Sequence, residues 1–258
     1  MDYRDSVDLS DSRTQRASGG RGGGRMALGG GVGGLVLMLL VVFVGPRFGI
    51  NVSDLLGSSS GQDTQPAVQG SDLDHCKQKD VNVNTNRECR WLLYEKVLQS
   101  YWSKTATNYK YATVKLFSGT INTACGVGQT EMGPFYCSGD STVYIDDSYV
   151  GQLLKQLGAS GGDAAELYIV AHEFGHHIQN LDGTMRKVTR GTGADSAQVR
   201  LELQADCYAG VVFNQVTKDS NSPIKAVSKD DLLRIADAAR SVGDDHIQKQ
   251  QGGFVNPE

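Results

Sequence analysis

The sequence predicts an α+β domain, in which a small β-sheet precedes a helical half. Two runs rich in β-branched and aromatic residues, 111–117 and 141–146, are typical of strands. The Gly-rich stretch between them predicts a loop or a hairpin connection. Apolar residues recur at three- and four-residue steps in the later chain, which predicts helices over 88–102, 148–157, 163–181, 195–216 and 228–243.

The segment 163–181 has the pattern of a capped, apolar helix. We predict Asp163 as its N-cap, with Glu166 three residues on completing a capping box. Gly183 supplies a C-terminal cap just after the last apolar position. Few polar positions lie between these ends, so we expect the helix to be largely buried.

The N-terminal part of the chain predicts a membrane anchor between polar stretches. Residues 1–27 are rich in Gly, Arg, Ser and Asp, and we expect a disordered tail. The uncharged apolar run 28–45 predicts one transmembrane helix, with a cleaved signal peptide or a buried core helix as alternatives. The polar residues 46–74 predict a flexible linker, which leaves 75–258 as the folded domain.

The arginines around the apolar run predict its orientation. Arg13, Arg16, Arg21 and Arg25 precede the run, and only Arg47 follows it closely. By the positive-inside rule, the N-terminus is expected in the cytoplasm and the folded domain outside it.

The five cysteines all follow the apolar run, so export would place them where disulfides persist. Cys76 with Cys89, and Cys125 with Cys137, are the nearest pairs in sequence, although sequence alone leaves the connectivity open. Cys207 lies in a helical pattern and is predicted to be a buried thiol. A cysteine-based zinc site is the rival interpretation, and the lack of any CxxC pair argues against it.

His172 and His176 are four residues apart in the pattern HEFGH, so a helix directs both imidazoles to one side. This HExxH pattern is typical of helices that bind one Zn²⁺. Glu173 is rotated by about 100° from His172, where a general base for the attacking water belongs. The alternative is that these are core histidines that are merely hydrogen-bonded. Burying several imidazoles without a function has a desolvation cost, which argues against this alternative.

A catalytic zinc site needs a third protein ligand and keeps a fourth position for water. Glu202, on the next predicted helix, is the candidate. Asp206, one turn further, is predicted to accept a hydrogen bond from a ligating histidine, and the reverse roles remain open. Asp182 and His246 are competing third ligands. In this mechanism the zinc polarises the scissile carbonyl, and Glu173 passes a proton from the water to the leaving amine.

A further donor is expected to stabilise the oxyanion or contact the substrate. Tyr144, Tyr168, His177 and Tyr208 are the candidates, and the sequence does not choose between them. His177 points about 100° away from His176 on a helix, so it is not expected to join the same metal.

Several motifs together resemble the bacterial neutral zinc metallopeptidase family of YpfJ type. Beside the Arg/Gly-rich N-terminus and the apolar run, these are TACG at 123–126, GPFYC at 133–137, VYID at 143–146, AHEFGHHIQNL at 171–181 and RLELQADCYAG at 200–210. The resemblance covers about residues 75–250. Family members usually continue with a segment similar to SFTHG, so this chain is expected to be either truncated or a short member.

The resemblance implies a zincin-like domain with a gluzincin-like HExxH…ExxxD arrangement. By this resemblance, His172, His176 and Glu202 are implied as the zinc ligands, and Glu173 as the catalytic base. Asp206 is implied as the partner of a ligating histidine, and Cys125 as paired with Cys137 in a disulfide.

The sequence therefore predicts a membrane-anchored zinc peptidase, an endopeptidase that acts on a protein or peptide with one Zn²⁺. Two alternatives belong to other classes: a catalytically silent zinc-containing binding module of the cell envelope, and a zinc hydrolase of a non-peptide amide. The net charge of −4 and the absence of a Lys/Arg cluster in the folded part argue against nucleic acid as a partner.

Overall fold

Eight strands and six helices lie in the part of the chain that the computed structural model describes, residues 1–17, 73–188 and 196–242. The strands are β1 (Asp2–Tyr3), β2 (Thr14–Arg16), β3 (Thr113–Leu116), β4 (Thr120–Thr123), β5 (Gly126–Gln129), β6 (Phe135–Cys137), β7 (Thr142–Ile145) and β8 (Ile224–Ala226). The helices are α1 (Arg87–Thr105), α2 (Val150–Gln156), α3 (Asp163–Leu181), α4 (Thr184–Lys187), α5 (Ala197–Val216) and α6 (Lys229–Val242). The predicted α+β class is confirmed.

The main sheet has four strands in the order β2-β3-β7-β6. β2, β3 and β7 run parallel, and β6 is antiparallel to β7 at one edge. β3 and β7 are the two strands that the sequence predicts, while β6 and the β4–β5 hairpin form within the predicted loop or hairpin. The edge strand β6 packs on α3, so one end of the sheet lies beside the HExxH helix.

Helix α3 is buried along most of its length, as its apolar pattern predicts. Its C-terminal end is also as predicted, because Gly183 adopts a left-handed φ of 79° directly after the cap residue. The predicted capping box is wrong, since Gly162 is the N-cap. The Asp163 carboxylate accepts a hydrogen bond from Tyr3, and the buried Glu166 forms an ion pair with the exposed Arg87, so neither side chain serves as the predicted cap.

Helices α3 and α5 cross at unusually short range. A Cβ placed on Gly175 would lie 2.8 Å from Ala205 Cα and 3.0 Å from the Ala205 carbonyl oxygen. A glycine and an alanine at the crossing therefore let the two backbones approach closely. This approach lets side chains of both helices reach a common point.

The N-terminal segment, residues 1–17, is part of this fold. Leu9 is fully buried, and β2 adds a strand to the main sheet. Glu95 of α1, itself buried, accepts hydrogen bonds from Ser12 Oγ at 2.7 Å and from the Arg13 backbone N–H at 3.1 Å. The expectation of a disordered tail over 1–27 is therefore wrong for these residues, because a few apolar side chains and well-placed hydrogen bonds order a segment whose average composition is polar.

The predicted transmembrane helix, residues 28–45, lies outside the described residues, as does the predicted linker except at its last two positions. Among the helices of the described ranges, none combines the length and apolar character that crossing a membrane requires.

Two disulfides form between the nearest cysteine pairs, Cys76 with Cys89 and Cys125 with Cys137. The second joins the β4–β5 hairpin to β6. The prediction that Cys207 is buried is wrong, because this thiol is free and exposed. Cys207 lies one turn after the exposed Leu203, on the side of α5 that faces away from α3.

Candidate metal centre

The two histidines of the HExxH motif meet one carboxylate of the next long helix. His172 Nε2 lies 3.1 Å from His176 Nε2, and Glu202 Oε2 lies 3.2 Å and 3.3 Å from these two nitrogens. These side chains are mostly but not fully covered: His172 is 17% exposed, His176 is 11% exposed and Glu202 is 25% exposed. The structure therefore brings together the three residues that the sequence predicts as ligands.

The hydrogen bonds around this cluster direct its acceptor atoms as a bound cation requires. His172 Nδ1 faces the Asp206 carboxylate at 2.7 Å, and His176 Nδ1 faces the amide oxygen of Gln179 at 2.9 Å. If each Nδ1 donates its proton there, both Nε2 atoms carry lone pairs, and they face each other and a carboxylate oxygen. A tetrahedral zinc with bonds of about 2.0–2.1 Å separates its ligand atoms by about 3.3 Å, close to the observed spacing.

Without a cation, the cluster favours bound protons. Burial lowers the pKa of His172, but the bonds to Asp206 and Glu202 outweigh burial and raise this pKa to about 10. Burial acts in the opposite direction on Glu202, yet the bonds from both histidines lower its pKa to about 2. Because a metal ligand must be deprotonated, a metal that binds here displaces protons from the imidazoles.

Asp206 occupies the position that the sequence predicts for a histidine partner. Its Oδ1 receives the bond from His172 and also accepts one from the hydroxyl of Tyr168, which lies one turn before His172 on α3. Tyr168 is 3% exposed, so its hydroxyl is committed to this carboxylate. That contact argues against Tyr168 as an oxyanion donor and makes it a support for Asp206.

Glu173 lies beside the cluster with only 9% of its surface exposed. Burial raises its pKa above the ordinary value of a glutamate, and the neighbouring His176 and His172 oppose that rise. The backbone N–H of Tyr136, in the edge strand β6, also opposes the rise of this pKa. The candidate base is thus held between the metal ligands and the edge of the sheet.

His177 is fully buried and directed away from the cluster. Its Nε2 donates to the Lys110 carbonyl at 2.7 Å, and its Nδ1 accepts from the Tyr136 hydroxyl at 3.0 Å. Burial lowers its pKa, so the ring is neutral at pH 7. Both ring nitrogens are committed, which argues against the predicted role as an oxyanion donor and indicates that His177 ties α3 to β6 and to the loop before β3.

The remaining candidates also have other neighbours. Tyr144 donates to Asp140 at 2.8 Å, and its ring stacks on Phe135. Tyr208 packs against Trp102, and it follows Asp206 by two residues, which turns it about 200° away on the helix. These contacts argue against both tyrosines as oxyanion donors.

Of the two competing third ligands, Asp182 is described by the structure and lies at the end of α3, away from the cluster. Asp182 is the C-cap residue of α3, and it accepts a hydrogen bond from the Thr184 backbone N–H. His246 lies outside the described residues.

A second group of metal-ligating side chains occurs in the described ranges. His75 lies next to Cys76 and Cys89, and its Nε2 is 3.3 Å from Cys76 Sγ. The two sulfurs are joined in a disulfide, so they offer no thiolate to a metal. The histidine–glutamate cluster is therefore the better metal centre.

One supporting residue escapes the sequence analysis. Gln179 is fully buried and contacts both His176 and α5. Its spacing of three residues from His176 is the signal that could have indicated it, since this spacing places both side chains on one helix face.

Comparisons with known proteins agree with this geometry. The family model described as "Putative neutral zinc metallopeptidase" matches residues 1–258. An uncharacterised protein of Mycobacterium tuberculosis (strain ATCC 25618 / H37Rv) is 38% identical over 218 residues, which cover 81% of this chain and 73% of that protein. The uncharacterised protein YpfJ of Escherichia coli (strain K12) is 34% identical over 263 residues, which cover 99% of this chain and 86% of YpfJ.

No solved structure matches the chain. The family match spans the whole length of the chain. The chain belongs to the neutral zinc metallopeptidase family.

Proposed function

We propose that the protein is a zinc-dependent endopeptidase that hydrolyses peptide bonds of proteins or peptides. The observation that carries this proposal is the convergence of three acceptor atoms, from His172, His176 and Glu202, next to the buried carboxylate of Glu173. Three protein ligands leave a position for water, as in catalytic rather than structural zinc sites.

The proposed chemistry divides between the metal and Glu173. A zinc ion held by the three ligands supplies Lewis-acid chemistry, which polarises the scissile carbonyl and makes water a stronger acid. Glu173 takes the proton of the attacking water and delivers it to the leaving amine. Its raised pKa suits both halves of that transfer, because a base with a pKa nearer to neutral holds the proton and then releases it.

The test uses the full chain, because residues 1–17 belong to the fold. Casein is incubated with the wild type, with the wild type plus a chelator, and with Glu173→Gln. We expect cleavage by the zinc-loaded wild type only, while Glu173→Gln retains its zinc. Cleavage that persists in Glu173→Gln excludes this residue as the base, and stoichiometric zinc without cleavage of protein substrates supports a silent binding module or a hydrolase of another amide.

The endopeptidase assignment has its own test. A peptide with an acetylated N-terminus and an amidated C-terminus offers no free end, so an endopeptidase cleaves it and an exopeptidase does not. Cleavage of the free peptide alone would replace the endopeptidase assignment by an exopeptidase.

We propose further that the domain lies outside the cytoplasm, because its two disulfides persist in oxidising compartments. Residues 1–17 pack on the same body, so they are proposed to share its side of any membrane that residues 28–45 enter. The excess of arginines before residues 28–45 instead favours a cytoplasmic N-terminus, on the side of the membrane opposite to the domain. Labelling of intact cells with a membrane-impermeant maleimide separates the two arrangements, since Ser10 and Cys207 are both exposed.

In that experiment Cys207 reports on the domain in the wild type, and Ser10→Cys reports on the N-terminal segment in a Cys207→Ser chain. Equal labelling supports a shared side. Labelling of Cys207 alone supports a cytoplasmic N-terminus.

A further inference from the structure

Gln179 lies at the junction of the two ligand-bearing helices. It follows His176 by three residues on α3 and is fully buried. Its Nε2 donates to the Leu201 carbonyl at 2.7 Å and to Gln204 Oε1 at 3.0 Å, both on α5. Its Oε1 lies 2.9 Å from His176 Nδ1.

The orientation of this amide follows from the Leu201 carbonyl. A backbone carbonyl only accepts hydrogen bonds, so the NH₂ group of Gln179 must face it. The amide oxygen then faces His176, and because that oxygen only accepts, His176 must donate from Nδ1. The lone pair of His176 Nε2 is then directed at the cluster, where this nitrogen lies 3.3 Å from Glu202 Oε2.

We propose that Gln179 is the positioning residue of the second histidine, a role that rests on the zinc site proposed above. It fixes the tautomer and the ring orientation of His176. It also links this ring to the backbone of Leu201, the residue directly before the ligand Glu202. The two histidines thus have different supports: a carboxylate, Asp206, for His172 and a neutral amide for His176.

The charge of the surroundings explains why an amide suits this position. Glu173, Glu202 and Asp206 already contribute three carboxylates around one dication. A fourth ionised carboxylate at a fully buried position would carry a large desolvation cost without a cationic partner of its own. A neutral amide gives the same oxygen to the histidine and adds a donor for the carbonyl of α5.

The test measures the zinc dissociation constant of the folded full chain by chelator competition, together with the absorption spectrum of the Co²⁺-loaded form. Gln179→Met has a similar volume and no hydrogen bonds. We expect its zinc dissociation constant to rise about 10–100-fold, the range for partners of metal ligands, and its Co²⁺ spectrum to change. Gln179→Glu, as a neutral buried acid, accepts from His176 and donates to the Leu201 carbonyl, so it should restore most of the affinity.

Gln99→Met is the matched control. Gln99 is also buried, 4% exposed, and it also donates to a backbone carbonyl at 2.7 Å, that of Ala112. Its loss should lower stability and leave the zinc dissociation constant within about twofold of the wild type. A Gln179→Met chain that binds zinc like the wild type overturns the positioning role while the proposed function stands. A wild type that binds no zinc overturns both.

Discussion

The crossing of α3 and α5 at Gly175 makes the most quantitative prediction. In Gly175→Ala the new Cβ would lie 2.8 Å from Ala205 Cα, whereas ordinary contacts begin at 3.4 Å, so the helices must separate by about 0.6 Å there. The atoms in the way are the Cα, the carbonyl oxygen and the Cβ of Ala205, and none of them can be moved by a side-chain rotation. Overpacking costs about 1–3 kcal/mol, and the upper part of this range is expected where backbone must move. We therefore expect a net loss of stability of about 1–2 kcal/mol after the roughly 1 kcal/mol that alanine gains over glycine in a helix.

The same displacement should weaken zinc binding. His172 and His176 lie on one helix and Glu202 on the other, so a shift of about 0.6 Å exceeds the ±0.2 Å tolerance of metal–ligand distances. We expect at least about a tenfold loss of zinc affinity, which corresponds to about 1.4 kcal/mol. Urea unfolding of the metal-free chain measures the first effect, and chelator competition measures the second.

Gly210→Ala is the control for this prediction. Gly210 is also inside a helix, α5, but nothing lies within 4 Å of the Cβ that alanine would add. This variant should be more stable by about 0.8–1.0 kcal/mol and should bind zinc as the wild type does. If Gly175→Ala behaves like Gly210→Ala in both assays, the close crossing is not what brings the ligands together.

Three other variants test separate parts of the account. Loss of the Cys125–Cys137 disulfide in a double serine variant should lower the unfolding free energy by about 3 kcal/mol in a urea titration, and an unchanged midpoint would mean that the bond does not stabilise the fold. Burial raises the pKa of Glu95 in the folded state, so the free energy of unfolding falls as the pH rises from the usual 4.5 through the raised pKa. Glu95→Gln should flatten this slope in urea titrations at several pH values, and an unaltered slope would exclude Glu95 as its source. Tyr168→Phe removes a bond to Asp206 and should raise the zinc dissociation constant about two- to tenfold, less than loss of a direct histidine partner, whereas equal affinity would show that Asp206 needs no such support.

The part of the site that lies on one helix could be predicted from the sequence. A spacing of four residues fixes the shared direction of His172 and His176 through helix geometry alone. Glu202 is different, because its approach depends on a helix crossing between Gly175 and Ala205 that no periodicity reveals. The proximity of all three residues is confirmed, and their role as ligands stays a prediction.

The features that the sequence analysis missed depend on contacts between distant segments. Residues 1–17 have a polar composition, and their order comes from partners such as Glu95, which lies far along the chain. Cys207 lies in a stretch of helical pattern with several apolar residues, but the rotation of α5 places Ala205 and Ala209 against the core and leaves the thiol outside. In both cases the average character of a stretch hides which individual side chains face a partner.

X-ray absorption at the zinc edge of the zinc-loaded full chain tests whether His172, His176 and Glu202 bind the metal. We expect one zinc per chain, bound by two imidazole nitrogens and oxygen at about 2.0–2.1 Å. We also expect that Glu202→Gln loses most of this zinc, while Glu173→Gln retains it. Sulfur ligands at about 2.3 Å, or full zinc occupancy in Glu202→Gln, would contradict this set of ligands.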